Sequence, residues 1–325
     1  MIWLGVDGGG TKTAFCLVDH TGAVLAEAST GSSYYFAVGL DTARDVLREG
    51  IGAVCNDAGV TPAAVDRAFF GLPGYGEVSA DVAVLDALPG PLLGHDRYSC
   101  DNDMVCGWAG SLGATDGINV VAGTGSMTYG ERAGRGVRVG GWGEVFGDEG
   151  SAYWIGVAGL RAASQMSDGR RERGPLVDRL VAHLGLSAEL DLVDVVLNRW
   201  RGDRTKVASL ARQVDAAAAT GDAAAGEILA AAAGELARLV TTTRRRLDWP
   251  AALPVPVSWS GGVFASARVR AAFRAALAAA PGDHRVREPL VGPSLGAALY
   301  AARTAGHPLG EDAVRRLATH AAAIV

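Results

Sequence analysis

Cysteine is scarce in this chain. Its 325 residues hold four, Cys16, Cys55, Cys100 and Cys106, with no C-x-x-C pair. A disulfide scaffold and a cysteine zinc site are therefore excluded, and buried thiols of a reducing compartment are the plain reading. The six histidines show no metal-ligand spacing. Basic charge is not in excess: 30 Lys and Arg against 35 Asp and Glu leave a net charge of −5, which argues against a nucleic-acid partner. No apolar run approaches the length of a membrane span. The N-terminus lacks the charged region that opens a secretory signal. The expectation is a cytoplasmic protein with neither membrane nor nucleic acid as partner. With 49% hydrophobic and 20% charged residues the chain is not disordered, and its length calls for two domains.

What the chain has is glycine, in telling places. "GVDGGGTKT" (Gly5–Thr13) lies between an apolar run, Ile2–Val6, and an alternating run, Thr13–Val18. Both read as strands, and Val24–Ala28 as a third after the turn "DHTG". A helix is expected over Asp41–Ala58, with Ala43, Val46, Leu47, Ile51 and Val54 on one face. "RAFFGLPG" (Arg67–Gly74) reads as a buried strand, and "RYSCDND" (Arg97–Asp103) as another ending in polar residues. The pattern then restarts. "GINVVAGTGSMTYGER" (Gly117–Arg132) is strand, glycine–threonine turn and strand; "VRVGGW" (Val137–Trp142) is a third strand. An alanine-rich helical region spans about Leu176–Leu247, and "PVSWSGGV" (Pro256–Val263) repeats the form of "FFGLPG". The chain reads as two copies of one β-β-β-α-β-α unit, 1–112 and 113–325, the second with a helical insertion. Two such units facing each other would form a cleft lined by both glycine turns.

Backbone N–H groups of such a turn can point outward together and bind phosphate, and glycine lets the phosphate approach. Thr11, Thr13 and Thr124 add hydroxyl donors. Asp7 repels phosphate but suits Mg²⁺, held through water. The P-loop is excluded because no glycine directly precedes Lys12, and the dinucleotide fingerprint because a strand follows its glycines. A hairpin made tight by glycine is the alternative for either turn alone.

"GVDGGGTKT", "GTGS" (Gly123–Ser126), "GGWGEVFGDEGSAYWIG" (Gly140–Gly156) and "SGGV" (Ser260–Val263) follow the order of the sugar-kinase/actin/Hsp70-type ATPase fold. Within it the chain resembles the N-acetylglucosamine kinase group of the BadF/BadG/BcrA/BcrD ATPase family. The resemblance implies an α/β fold of two ribonuclease H-like, actin-like domains, with ATP and Mg²⁺ as cofactors. It implies an enzyme phosphorylating the 6-hydroxyl of an amino sugar, N-acetylglucosamine first. Asp7, Gly9, Gly10, Thr11, Lys12 and Thr13 match the first phosphate loop, with Asp7 at the metal. Gly123, Thr124, Gly125 and Ser126 match the second. Ser260, Gly261, Gly262 and Val263 match the loop that contacts adenosine. Gly292 and the run Gly296–Ala302 match a C-terminal helix beside the nucleotide, which is also a small-residue helix contact. Tyr34, Asp103, Thr124, Trp142 and Asp148 are implied at the sugar. A small-molecule sugar and assembly as a homodimer are the expected partnerships.

Asp103 matches the family's catalytic base. A carboxylate at a strand end suits a group that accepts the substrate hydroxyl proton. Its alternative is an N-cap of the following helix, and Asp101 lies on the same side of the strand. The aromatic face of Trp142 beside Asp148 suits a sugar ring. Tyr153 and Trp154 read as core, and Glu149 as a helix-start charge. Two stretches depart from the family: Tyr34 stands where the amino-sugar kinases carry a sugar-binding Asn, and "GLPGYGE" (Gly71–Glu77) replaces a Ser/Ala-rich version. "SDGRRERG" (Ser167–Gly174) reads as a solvated loop. Kinases of glucosamine, N-acetylmuramic acid or another hexose remain open. So do a reductase or dehydratase activator, which would need Cys100 and Cys106 at an iron–sulfur cluster, and a sugar sensor.

Overall fold

A computed structural model describes residues 1–324. Contacts divide these into two compact units, and Val325 is outside the described residues. The first unit comprises Met1–Asp116 and returns with Glu288; the second is Gly117–Arg287.

In the first unit β1 (Ile2–Asp7), β2 (Thr13–Asp19), β3 (Val24–Thr30), β4 (Arg67–Leu72) and β5 (Tyr98–Asn102) form one sheet in the order β3-β2-β1-β4-β5. β2 runs antiparallel to β1 and β3, while β1, β4 and β5 are parallel. The apolar runs of β1 and β4 are buried along their length, as central strands must be, and β3 alternates as an edge. Helices α1 (Tyr35–Val38), α2 (Leu40–Asp57), α3 (Val82–Ala87), α4 (Gly90–Leu93) and α5 (Met104–Leu112) belong to this unit. α2 buries the face read from the sequence, Ala43, Val46, Leu47, Ile51 and Val54. They pack on Leu4, Phe15, Leu17 and Phe70 of the sheet.

The second unit repeats the plan. β6 (Gly117–Ala122), β7 (Ser126–Arg132), β8 (Arg135–Gly140), β9 (Val255–Ser260) and β10 (His284–Val286) lie in the order β10-β9-β6-β7-β8. β6 pairs antiparallel with β7 and parallel with β9, matching β1 with β2 and β4. The internal repeat is thus real in topology and register. β10, three residues long and invisible in the sequence, completes it. Between β8 and β9 come α6 (Ala152–Ser167), α7 (Pro175–Leu184), α8 (Arg204–Ser209), α9 (Ala211–Ala219) and α10 (Ala223–Arg246), followed after β9 by α11 (Ala267–Ala279). Helix therefore begins well before Leu176. The core joins Ile118 and Val120 to Leu180, Leu236, Val240 and Phe273.

The expected boundary after residue 112 lies after Asp116, and the expectation that 113–325 forms one domain is corrected. The chain rejoins the first unit at Glu288, where α12 (Pro293–Thr304) and α13 (Glu311–Ile324) pack. The reason is steric. A Cβ on Gly5 of β1 would overlap the Ser294 carbonyl oxygen, and one on Gly296 would overlap Gly110 of α5. Small residues on all three elements let the α12 backbone sit against β1 and α5. The small-residue reading of Gly296–Ala302 is correct. Among the described residues no helix is long and apolar enough to cross a membrane.

Candidate active site

In the first unit, parallel pairing aligns the ends of β1, β4 and β5. Asp7 stands opposite Gly71, and Gly71 opposite Asp101. The chain leaves β1 through Gly8, whose N–H donates to the Gly71 carbonyl at 2.8 Å. A Cβ on Gly8 would come within 2.6 Å of Pro73 Cδ and Ser33 Oγ, so glycine is required there. Around Gly10 a Cβ would meet nothing, and Gly10, Thr11 and Lys12 are exposed. The expected phosphate turn is therefore open where a ligand would approach. Ser32 Oγ donates to the Gly9 carbonyl at 2.9 Å and accepts from the Tyr34 N–H at 3.1 Å, tying the Tyr34 segment to the turn. Tyr34 stacks edge-on to Phe36, with ring centroids 5.6 Å apart. Thr13 differs from expectation. It is fully buried and its hydroxyl donates to Ser33 Oγ at 2.9 Å, so it supports the turn from beneath.

Asp7 sits in a crowd of acidic groups. Burial, and then the Asp103 carboxylate, push its pKa up to about 8, while Cys106 and Lys12 pull the other way. Asp103 follows β5 at the N-cap position of α5, yet its side chain makes no capping bond. A divalent cation fits this arrangement, because a half-buried carboxyl held up by a second carboxylate gains most from a positive charge. Among the described residues no group of three His, Cys, Asp or Glu side chains is placed to hold a metal ion. Asp101 is half-buried and its Oδ1 accepts from the Asn102 N–H at 2.7 Å. Burial raises its pKa as well, helped by Asp86.

In the second unit the turn Gly123–Gly125 joins β6 to β7. The Gly123 N–H donates to the Gly125 carbonyl at 2.9 Å. The N-terminus of α6 then closes on the turn: Ala152 N–H donates to the Gly123 carbonyl at 2.8 Å and Tyr153 N–H to the Thr124 carbonyl at 3.4 Å. Helix-start donors that lack an intrahelical partner are thereby satisfied by the turn's carbonyls. Ser151 caps the helix by accepting from the Trp154 N–H at 3.1 Å. The Ser126 hydroxyl is buried and donates to the Glu149 carbonyl at 2.7 Å, so it stitches the loop rather than facing outward. Gly261, at φ +97°, packs on the same turn, where a Cβ would overlap the Ala122 carbonyl and lie 2.9 Å from the Gly123 nitrogen. Ser260 Oγ accepts from Asn119 Nδ2 at 3.1 Å. Gly261 and Gly262 are exposed; Val263, expected at adenosine, is buried and belongs to the core.

Asp148 lies beneath this second turn, 3% exposed and at φ +56°, a left-handed conformation uncommon outside glycine. Its Oδ2 accepts from Arg204 Nη2 at 2.6 Å, and Arg204 Nε lies 3.3 Å from Glu144 Oε2. Burial raises the Asp148 pKa against the pull of Arg204. Gly125 has no room for a side chain: a Cβ would lie 2.5 Å from Arg204 Nη2 and 2.7 Å from Asp148 Oδ2. Trp142 is 72% exposed, with Val145 and Phe146 more so, while Trp154 packs on the core. The arginines of 167–174 pair with Asp168, Asp178, Glu189 and Glu227 at the surface, as a solvated loop should.

The first unit therefore gathers Asp7, the Gly9–Lys12 turn, Tyr34 and Asp103, and the second gathers the Gly123–Ser126 turn, Gly261 and Asp148. Trp142 is exposed, whereas Asp148 is buried. Sequence reasoning missed Arg204, which reaches Asp148 from a helix 56 residues on and carries no local motif. It also missed the Cys106 thiol beside Asp7. Cys100 instead faces the Leu85 carbonyl at 4.0 Å, so the two thiols have different surroundings.

The model of the BadF/BadG/BcrA/BcrD ATPase family matches residues 4–301, and the chain belongs to that family. Use of ATP follows from that membership. An N-acetyl-D-glucosamine kinase of Dictyostelium discoideum is 31% identical over 271 residues, covering 80% of this chain and 85% of its own. An N-acetylmuramic acid/N-acetylglucosamine kinase of Clostridium acetobutylicum is 32% identical over 246 residues, 72% of this chain and 76% of its own. A Chromobacterium violaceum protein solved as a candidate N-acetylglucosamine kinase superposes with a TM-score of 0.69 at 26% identity, over 92% of this chain and 98% of its own. A ROK family glucokinase from Streptomyces griseus, solved with glucose and AMPPNP, shares the fold at a TM-score of 0.56 and 16% identity, over 93% of this chain and all of its own.

Proposed function

We propose that this chain is an ATP-dependent sugar kinase that transfers the γ-phosphoryl group to the 6-hydroxyl of an amino sugar, N-acetylglucosamine first. The observation that carries the reading is Asp103. It stands at the end of β5, near enough to Asp7 to raise that carboxyl, and it does not cap α5. The cap was the competing role for it, and the parallel pairing of β1, β4 and β5 brings this strand end beside the one that carries Asp7.

Asp103 accepts the proton of the sugar hydroxyl as that oxygen attacks the γ-phosphorus and ADP leaves. Asp7 is the residue that would hold Mg²⁺, and the ion would supply neutralisation of phosphate charge when bound. The N–H groups of Gly9–Lys12 and Gly123–Gly125, with the Thr11 and Thr124 hydroxyls, hold the phosphate oxygens. Gly261 and Gly262 offer open backbone to adenosine. Tyr34 and Asp148 stand at the sugar, Tyr34 with its hydroxyl in place of an amide. Trp142 supplies an aromatic face to the sugar ring. The expected assembly is a homodimer, which sedimentation of the full chain tests.

A kinase of N-acetylmuramic acid is the second reading, favoured by the named activity of the Clostridium acetobutylicum relative and by Tyr34 in place of the usual Asn. A panel of sugars in a coupled ADP-release assay tests both. Sugar-dependent ADP release with N-acetylglucosamine supports the first. Release with N-acetylmuramic acid alone replaces it with the second.

A further inference from the structure

The residue before the proposed base is buried, and its amide is bonded at both ends. Asn102 is 3% exposed, the most enclosed polar side chain at the end of β5. Its Oδ1 accepts from the Met104 N–H at 3.2 Å, and its Nδ2 donates to the Tyr75 carbonyl at 3.2 Å. Met104 is the first residue of α5, so Asn102 satisfies a helix-start donor that the Asp103 side chain leaves to it. Tyr75 is itself fixed. Its N–H donates to the Leu72 carbonyl at 3.1 Å, and its hydroxyl donates to Asp86 Oδ1 at 2.9 Å. Tyr75 lies in "GLPGYGE", the stretch that departs from the family and that no step above uses.

On the other side, Gly71 lets the Asp103 backbone come close: a Cβ there would lie 3.0 Å from Asp103 Cα and overlap Cys106 Sγ. Asp103 is thus pressed against the β4 end by one contact and oriented along α5 by its neighbour's amide.

We infer that Asn102 is the positioning residue for the Asp103 carboxylate, and that the Asp86–Tyr75 pair holds Asn102 in register. The inference rests on the reading of Asp103 as the base. Asn102 is buried and its amide is held by Tyr75 and Met104 of the chain itself, so its effect on the reaction runs through Asp103.

The test compares Asn102→Ala, Asn102→Ser, Tyr75→Phe and Asp103→Asn in the full chain, reading kcat, the KM for ATP and for N-acetylglucosamine, and melting temperature. A misplaced base costs roughly tenfold to a hundredfold in kcat, so Asn102→Ala should lose that much with the KM for ATP unchanged. Asn102→Ser, whose hydroxyl can accept from an N–H two residues on, should recover the larger part of the loss. Tyr75→Phe keeps the carbonyl and cuts only the Asp86 bond, so its kcat should fall less, still without a change in KM for ATP. A folded Asn102→Ala enzyme with wild-type kcat overturns the inference. So does a loss in which kcat and both KM values move together with the melting temperature, or no recovery in Asn102→Ser. Should Asn102→Ala not fold, wild-type kcat in both Asn102→Ser and Tyr75→Phe overturns the inference, and a fall in kcat in Tyr75→Phe with the KM for ATP unchanged supports it. Asp103→Asn separates the two readings: near wild-type turnover there removes the base itself, whereas a dead Asp103→Asn beside an unaffected Asn102→Ala removes only its positioning.

Discussion

The two glycine turns of this protein sit at equivalent places in two different sheets and are built differently. β1 and β6 are each six residues long and feed seven-residue strands running back beside them. The first ends in Asp7 and turns through Gly8–Lys12; the second ends in Ala122 and turns through Gly123–Gly125. The first turn is open at Gly10 and carries a carboxyl with a second carboxylate for a neighbour. The second is closed from behind by α6 and has its own carboxyl, Asp148, already paired with Arg204. One scaffold thus yields a site short of positive charge and a site that carries its own cation. The first suits a metal with its phosphates, the second a backbone cradle held rigid.

The largest effect breaks the comparison on the first side. Asp103→Asn should lower kcat by roughly 10²–10⁴ while the melting-temperature rise with Mg²⁺ and ATP survives. Steady-state kinetics and thermal shift on one preparation check it.

Next come the turns themselves. Gly125→Ala should lower the melting temperature of the ligand-free protein, because its Cβ displaces the Arg204–Asp148 pair, while Gly10→Ala should leave it unchanged because nothing lies within 4 Å. Equal losses in the two variants would dissolve the distinction drawn between open and closed turns. Arg204→Ala should then cost about 1–3 kcal/mol of stability in urea unfolding, the range for a buried polar group left without its partner. It strands the nearly inaccessible Asp148 carboxyl.

Much of this was legible beforehand, for physical reasons. Apolar runs bounded by glycine disclose strands, and the spacing of Ala43, Val46, Leu47, Ile51 and Val54 discloses a helix face. The two turns were visible because close backbone approach demands glycine. What stayed hidden depends on which side chains meet. Thr13 and Ser126 look like phosphate donors, yet strand alternation points both inward. Val263 follows two exposed glycines and dives into the core. Arg204 and Asp148 are joined only by tertiary folding, and the return of α12 to β1 rests on Gly5, Gly110 and Gly296 lying opposite one another. Asp103 was read as base or cap; it holds the cap's backbone position while Asn102 does the capping.

A pH experiment sharpens the charge contrast more gently. A carboxyl whose pKa rises to about 8 on folding binds its proton more tightly in the folded state. Its contribution to stability is therefore greatest below the unfolded carboxyl range and declines as pH rises toward 8. Asp7→Asn should flatten that decline in urea titrations without metal, and Mg²⁺ with ATP should flatten it in the wild type. The smallest effect expected is at the sugar: Tyr34→Phe should raise the KM for N-acetylglucosamine by about tenfold or less, the worth of one hydroxyl contact. An unchanged KM would remove Tyr34 from the sugar site.

The most direct measurement is ADP release by the purified chain with Mg²⁺ and ATP, with and without each sugar of the panel, followed by identification of the phosphorylated position. The account predicts that N-acetylglucosamine accelerates ADP release strongly and that the product carries its phosphate on the 6-hydroxyl. ADP release at the same rate whichever sugar is present, with no phosphorylated sugar formed, would contradict it.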